Sequence, residues 1–287
     1  MKISIVTINR NDATGLEKTI RSVVAQDYNN IEYLVIDGAS TDNSVDIIRK
    51  YETRLALWIS EPDKGIYDAM NKGSRKATGD YCLYLNSGDT LVNNHIISYV
   101  AKKITASPDT DIFSCDMLYA LKGNTLKKIA SPNSVTFDWY INSALLHPVT
   151  FIRTSLVKKH PYKTDYKIVS DWIFFFEALF YEKATYQHIH KNCTLFDMNG
   201  ISTLQDDKRQ IELKKYLQSV LPDFAIEALT YKNNIDEKFR NSKISMPSSL
   251  YGMQRAIFVL LKGIDKCLLR TISLMVDNLR FLLRNKR

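Results

Sequence analysis

The chain is expected to adopt an α/β fold built on a doubly wound sheet, and three observations lead there. Short apolar runs alternate with helically spaced apolar residues over the first 85 positions, as they do in strand-helix-strand units around a parallel sheet. Each run stops at a polar turn rich in Asn, Asp, Ser or Gly, where open sheets of this kind place their ligands. The final segment, 251–287, is amphipathic and basic, which adds a helical appendage to the sheet.

Residues 3–8 form the first expected strand and Asn9-Arg10-Asn11-Asp12 its turn. Leu16, Ile20, Val23 and Val24 then recur at helical spacing. A second apolar run, 31–36, leads into Asp37-Gly38-Ala39-Ser40-Thr41-Asp42. That Asp-Gly pair is compatible with a hairpin, but Val45, Ile47 and Ile48 favour a helix over 44–51 capped by Ser40, Thr41 or Asp42. Residues 57–60 are a third strand, and Ile66, Ala69, Met70 and Gly73 give a helix over 66–76 a common face. The run 81–85 is short, aromatic and bounded by glycine turns, so it reads as a fully buried strand ending in Asn86-Ser87-Gly88-Asp89. Asp89 or Thr90 then either serves a ligand or caps a helix from Leu91. Beyond it the pattern predicts a helix over 96–104, a strand over 111–119 and a hairpin or loop over 123–137. It also predicts an apolar helix opened by Ser170-Asp171-Trp172, a late strand over 186–196 and a turn at 199–202.

At 287 residues with 45% hydrophobic and 24% charged, the chain can bury a full core and is not a disordered sequence. Cys82, Cys115, Cys193 and Cys267 show no C-x-x-C spacing, so neither a zinc site nor a disulfide framework is expected and a reducing cytoplasm fits. The amino-terminal run is expected to be a strand rather than a signal peptide, and no stretch reaches the ~20 apolar residues of a membrane span. The net charge of +8 is concentrated in 251–287, where eight basic residues face two acidic ones. On a helical wheel Lys262, Lys266, Arg270, Arg280 and Arg284 share one side, opposite Ile257, Leu261, Ile264 and Leu268. Such a segment lies in an anionic bilayer interface or packs on its own domain with a solvated basic face. The body has no zinc-finger, helix-turn-helix or aromatic-basic RNA pattern, so no nucleic acid partner is expected.

Four motifs now stand in order: Thr7-Ile8-Asn9-Arg10, Asp37-Gly38-Ala39-Ser40-Thr41-Asp42, the run from Glu61-Pro62-Asp63-Lys64-Gly65 through Asp68 and Asn71, and Leu85-Asn86-Ser87-Gly88-Asp89. Followed by Ser170-Asp171, they resemble the family 2 inverting glycosyltransferases of bacterial surface-polysaccharide type, over roughly residues 1–205. The resemblance implies a GT-A fold, a Rossmann-like doubly wound mixed sheet. It further implies a nucleotide half over about 1–90, an acceptor half over about 91–205, a helical linker over 206–250 and a membrane-associating tail over 251–287.

Under that resemblance Asp37 can accept the N3–H of uracil or cap a helix, and Thr7 and Asn9 can contact base or ribose or simply satisfy their loop. Lys64 is placed to meet a diphosphate or to be solvated, and Asp68, Asn71 and Asn86 to face the nucleotide sugar or brace their own elements. The family's metal motif is Asp-X-Asp, and here only Asp89 remains of the usual Asp-Ser-Asp-Asp carboxylates. Asp89 is therefore the candidate ligand for Mn²⁺ or Mg²⁺, with His188 or His190 as a late ligand or as structural strand residues. Asp171 is the implied catalytic base, removing the proton of an acceptor hydroxyl, or else an N-cap. Trp172 and His147 are acceptor-side candidates or core residues.

The expected activity is sugar transfer from a nucleotide-sugar donor, UDP-linked by the Asp37 reading, to a polyprenyl-linked or oligosaccharide acceptor in surface-polysaccharide synthesis. The expected place is the cytoplasmic side of the inner membrane, held peripherally by the carboxyl-terminal helix. Two rivals are a non-catalytic nucleotide-sugar-binding scaffold, favoured by the depleted metal motif, and a nucleotidyltransferase, disfavoured because no Gly-rich basic triphosphate loop follows the first strand.

Overall fold

A computed structural model describes residues 1–120, 125–197, 206–223, 225–227 and 229. The chain divides into two units, Met1–Arg209 and Gln210–Arg287. The second begins inside a helix, α8 (Asp206–Val220), and there Leu213, Tyr216 and Leu221 are buried. The expected turn at 199–202 and the basic tail at 251–287 lie outside the described residues. Among the described residues no helix is long and apolar enough to cross a membrane.

The first unit opens as the periodicity demands. β1 (Ile3–Asn9), α1 (Ala13–Val24), β2 (Ile31–Asp37), α2 (Ser44–Lys50), β3 (Leu57–Ser60), α3 (Ile66–Lys76) and β4 (Tyr81–Tyr84) alternate, with a short 3-10 turn at Glu52–Arg54 between α2 and β3. β1 pairs in parallel with β2 and with β4, and β2 with β3, so these four strands lie in the order 3-2-1-4 with their carboxyl ends on one edge. β1 is buried along its whole length, its apolar residues in the core and its polar Ser4 and Thr7 hydrogen-bonded to Glu32 and Tyr33. Asp12 starts α1 by accepting the Gly15 backbone N–H. α3 lies close on β1: a Cβ at Gly73 would come within 2.4 Å of Val6 Cγ1, so the glycine sets the approach of helix to sheet.

The second half departs from simple alternation. After the turn at 85–89 comes a two-residue strand, β5 (Thr90–Leu91), and not a helix from Leu91; helix α4 starts at Ile96 and runs to Thr105. β6 (Ile112–Ala120) and β7 (Leu126–Ile129) make an antiparallel hairpin, and α5 (Phe137–Ile141) follows. β8 (Thr150–Arg153) lies antiparallel between β4 and β6, joining the two halves of the sheet. α6 (Thr154–Lys159), α7 (Ser170–Phe176) with a π-helical turn at Glu177–Tyr181, and β9 (Tyr186–Phe196) complete the unit. β9 runs parallel to β6 and antiparallel to β5, which returns its carboxyl end to the turn after β4. The core between sheet and helices is one cluster containing Ile3, Ile5, Leu16, Ile20, Val35, Leu83, Val100 and Phe113, each essentially inaccessible to solvent.

Candidate active site

The carboxyl ends of the four parallel strands are tied by one chain of polar side chains. Ser60 Oγ on β3 donates to Asp37 Oδ2 on β2 (2.7 Å), and Asn9 Nδ2 on β1 donates to Asp37 Oδ1 (2.8 Å). Asn9 Oδ1 in turn accepts from Ser87 Oγ (2.7 Å), beyond β4. Ser40 adds its backbone N–H to Asp37 Oδ2 and its hydroxyl to Oδ1. Asp37 is thus buried and accepts four hydrogen bonds, and although burial opposes its charge, these donors hold its carboxyl below the usual range. The residue expected to meet a base is the knot of this belt. Thr7 lies deeper, its hydroxyl paired with Tyr33 in the core, and does not reach the strand end.

Beneath the belt the 86–89 turn is strapped to α1. Thr19 Oγ1 donates to the Asp89 carbonyl (2.7 Å) and accepts the Gly88 N–H (3.0 Å). Neither Asp89 nor Thr90 caps a helix. The Asp89 carboxylate is 2% exposed; Oδ1 accepts the backbone N–H of Asp197 (3.1 Å), and Oδ2 is buried with no hydrogen-bond partner. Asn86 Oδ1, on the same turn, is a second buried acceptor with no partner. Two orphaned oxygens on one turn are costly unless a cation or donor completes them. Burial, with Asp197 as a neighbouring charge, pushes Asp89 up to about 7. An oxygen-only donor set of this kind fits Mg²⁺ or Mn²⁺. Among the described residues no group of three or more His, Cys, Asp or Glu side chains is arranged to hold a metal ion.

That burial has a measurable sign. Because the folded carboxyl titrates above its ordinary value, the contribution of Asp89 to stability is fully present below about pH 4 and is lost as pH rises through about 7. Asp89→Asn is therefore expected to melt higher than the wild type at pH 8 without metal, by at least about 3 °C, the shift roughly 1 kcal/mol brings in a chain of this size. At pH 4 the two proteins melt together. Equal melting at both pH values would contradict the assigned burial of charge.

The last motif residue in chain order comes from α7. Asp171, half-buried at the second position of that helix, uses Oδ1 to accept the Trp172 backbone N–H (2.9 Å) and the Tyr67 hydroxyl (2.9 Å). Tyr67 OH also lies 2.7 Å from the Ile168 carbonyl, so its proton is shared. Asp171 Oδ2 has no hydrogen bond to a described residue. Since Tyr67 sits in the first turn of α3, just past the end of β3, Asp171 stands over the same sheet edge as Asp89. It does not cap α7, whose N-cap is Val169.

Lys64 is exposed on the loop before α3, and its backbone is held by Asp68, which accepts the Lys64 N–H (3.1 Å). Asn71 is buried: its amide donates to the Tyr162 carbonyl and accepts the Tyr162 N–H, both at 2.8 Å, so it braces α3 and does not open to a ligand. His147 is also internal, its Nε2 on Tyr162 OH (2.8 Å) and its ring against Tyr84 and Phe175; burial pushes it down to about 4, and it is neutral at pH 7. Trp172 is 4% exposed, stacked on Phe176 with its indole N–H on the Ser143 carbonyl (2.9 Å), and offers no face to a sugar. His188 pairs with Asp116 and Asn133, eight positions before the end of β9 and so ~20 Å or more from the turn. The residues that sequence reasoning missed are Tyr67, Thr19, Ser40, Ser60 and Asp197. Only Ser40 and Ser60 carried a signal, as polar residues at strand ends.

A family model described as Glycosyl transferase family 2 matches residues 4–179. An uncharacterized glycosyltransferase of Mycobacterium tuberculosis is 32% identical over 211 residues, covering 70% of this chain and 77% of that protein. A PGL/p-HBAD biosynthesis glycosyltransferase of Mycobacterium bovis is 27% identical over 184 residues, covering 60% and 67%. The crystal structure of Staphylococcus aureus TarS 1–349 in complex with UDP-GlcNAc superposes with a TM-score of 0.56 at 22% identity, over 71% of this chain and 60% of that one, a likeness of fold. This chain thus spans about three fifths of that structure's length. Because the matched span runs from β1 through α7 and takes in the polar belt, the Asp89 turn and Asp171, the chain belongs to glycosyltransferase family 2 and is a sugar-transferring enzyme of GT-A fold.

Proposed function

We propose that the protein moves a sugar, with inversion at the anomeric carbon, from a UDP-linked donor to a hydroxyl of a lipid-linked or polysaccharide acceptor at the cytoplasmic face of the inner membrane. The observation that carries this reading is Asp171: a carboxylate gripped through one oxygen by Tyr67 and Trp172, with the other oxygen open on the edge where the strands end. Held there, Oδ2 accepts the proton of the acceptor hydroxyl as its oxygen attacks the anomeric carbon. The bond from that carbon to the donor's phosphate oxygen breaks on the opposite face, and the electron pair leaves with the diphosphate. Fixing Asp171 in advance removes a rotational cost from the step.

Asp89 and Asn86 would hold a divalent cation through their unpartnered oxygens, and a cation there would offset charge on the departing diphosphate. Lys64, exposed and carried on the loop beside Asp68, supplies a mobile positive charge to the same group. The belt of Ser60, Asp37, Ser40, Asn9 and Ser87 keeps the strand ends in register so that backbone groups meet the nucleoside; Thr7, Asn71, His147 and Trp172 act behind this surface as support. The UDP reading is supported by TarS, whose structure holds UDP-GlcNAc, and the lipid-linked acceptor by the basic, amphipathic sequence of 251–287.

Thermal shift against UDP, GDP, CMP and dTDP, each with and without Mn²⁺, tests the donor class. A rise confined to UDP and enlarged by Mn²⁺ is expected; a larger rise with another nucleotide would replace the donor, and no rise with any would remove the nucleotide-sugar reading. The tail is tested separately. Reversing Lys262, Lys266 and Arg270 to Glu is expected to release the protein from vesicles containing anionic lipid by about tenfold or more, since each basic residue near such a surface contributes ~1 kcal/mol. Unchanged sedimentation with the vesicles would remove the membrane assignment.

A further inference from the structure

The turn after β4 lacks a carboxylate at Gly88, and the structure shows what stands in that place. Gly88 has φ +94°, and a Cβ built on it would lie 2.8 Å from Asp197 Oδ2 and 2.9 Å from Asp197 Cβ. The Asp197 side chain therefore occupies the space that a side chain at 88 would fill. It arrives there because β9 runs antiparallel to β5, with Leu195 opposite Thr90 and Thr194 opposite Leu91, and the same register continued past both strands puts Asp197 opposite Gly88. The Asp197 backbone N–H on Asp89 Oδ1 fixes the approach at 3.1 Å. Beside it Asp89 Oδ2 is buried and without a partner, an oxygen that water does not reach and no protein donor satisfies.

We infer that Asp197 is the second carboxylate of a divalent-cation site with Asp89, delivered from the end of β9 in place of the residue missing at 88. This rests on the reading of Asp89 as a metal ligand given above. Two carboxylates with ordinary oxygen donors from water or a diphosphate suit a hard cation that keeps several waters.

Manganese titration of the full chain, followed by the loss of the free Mn²⁺ electron paramagnetic resonance signal, tests this with Mn²⁺ alone and with UDP present. Asp197→Asn, which keeps the shape and the backbone N–H, is expected to weaken Mn²⁺ binding by at least about tenfold, because ligand charge sets affinity at such sites. Asp197→Ser provides an independent variant, Asp89→Asn is expected to lose binding, and Asp46→Asn, a fully separate surface acid on α2, to leave it unchanged. Melting without metal identifies any variant that fails to fold. If both Asp197 variants bind Mn²⁺ as tightly as the wild type while Asp89→Asn does not, Asp197 is excluded and the Asp89 site stands. If the wild type binds no Mn²⁺ in either condition, both assignments fall.

Discussion

Replacing Asp171 by asparagine is expected to leave donor binding unchanged and to lower turnover roughly 10²–10⁴-fold, the usual contribution of a positioned general base. Asparagine is nearly isosteric, and its side-chain oxygen can still accept from Tyr67 and Trp172, so the position survives while the proton acceptor does not. The loss should fall in kcat, with the KM for donor little changed, because Asp171 acts on the attacking hydroxyl and not on the nucleotide. A variant with wild-type turnover would remove the base assignment, and one that failed to bind donor would make Asp171 part of the binding surface instead.

The second large effect is on the scaffold beneath that carboxylate. Asn71→Ala removes both partners of the Tyr162 backbone, leaving a buried N–H and a buried carbonyl unpaired. At about 1–3 kcal/mol for each of the two orphaned groups, the expected destabilisation is roughly 2–6 kcal/mol. Activity should fall with it, since Tyr162 stacks on Tyr67 (5.9 Å between ring centres), and Tyr67 holds Asp171. Urea unfolding compared with the wild type measures the first effect and turnover below the transition measures the second. A loss under about 1 kcal/mol would show that water replaces the amide, and that Asn71 is not the brace.

The first half of the fold was legible because β1, β2 and β4 are buried on both faces and the helices on one, patterns that lie within ten residues of each other. The strand 57–60 coincides with β3, a half-buried edge strand, and the helix 66–76 with α3. β5 was not legible. Two residues carry no period, and Thr90–Leu91 become a strand only because β9 arrives more than a hundred positions later. The site followed the same rule. Chain order places Asn9, Asp37 and Asp89 at strand ends, so their grouping could be read; who fills their lone pairs could not. Asp37 is saturated by Ser40, Ser60 and Asn9, whereas Asp89 keeps an oxygen unpaired, and the sequence presents both simply as aspartates after apolar runs. Trp172 and His147 show the reverse error. Trp172 stands beside Asp171 and His147 beside Pro148, but the aromatic packing of Tyr140, Phe176, Tyr84 and Tyr162 draws them inward.

The central claim is that Asp171 deprotonates a nucleophile attacking from the face opposite the leaving diphosphate. Slow hydrolysis of the donor selected by the nucleotide panel tests it without an acceptor, because water takes the place of the hydroxyl. With an α-linked nucleotide sugar followed by proton NMR, the β-anomer of the free sugar is predicted to appear first in the wild type and to be lost in Asp171→Asn. Release of the α-anomer first, or hydrolysis in the variant at the wild-type rate, would contradict the account.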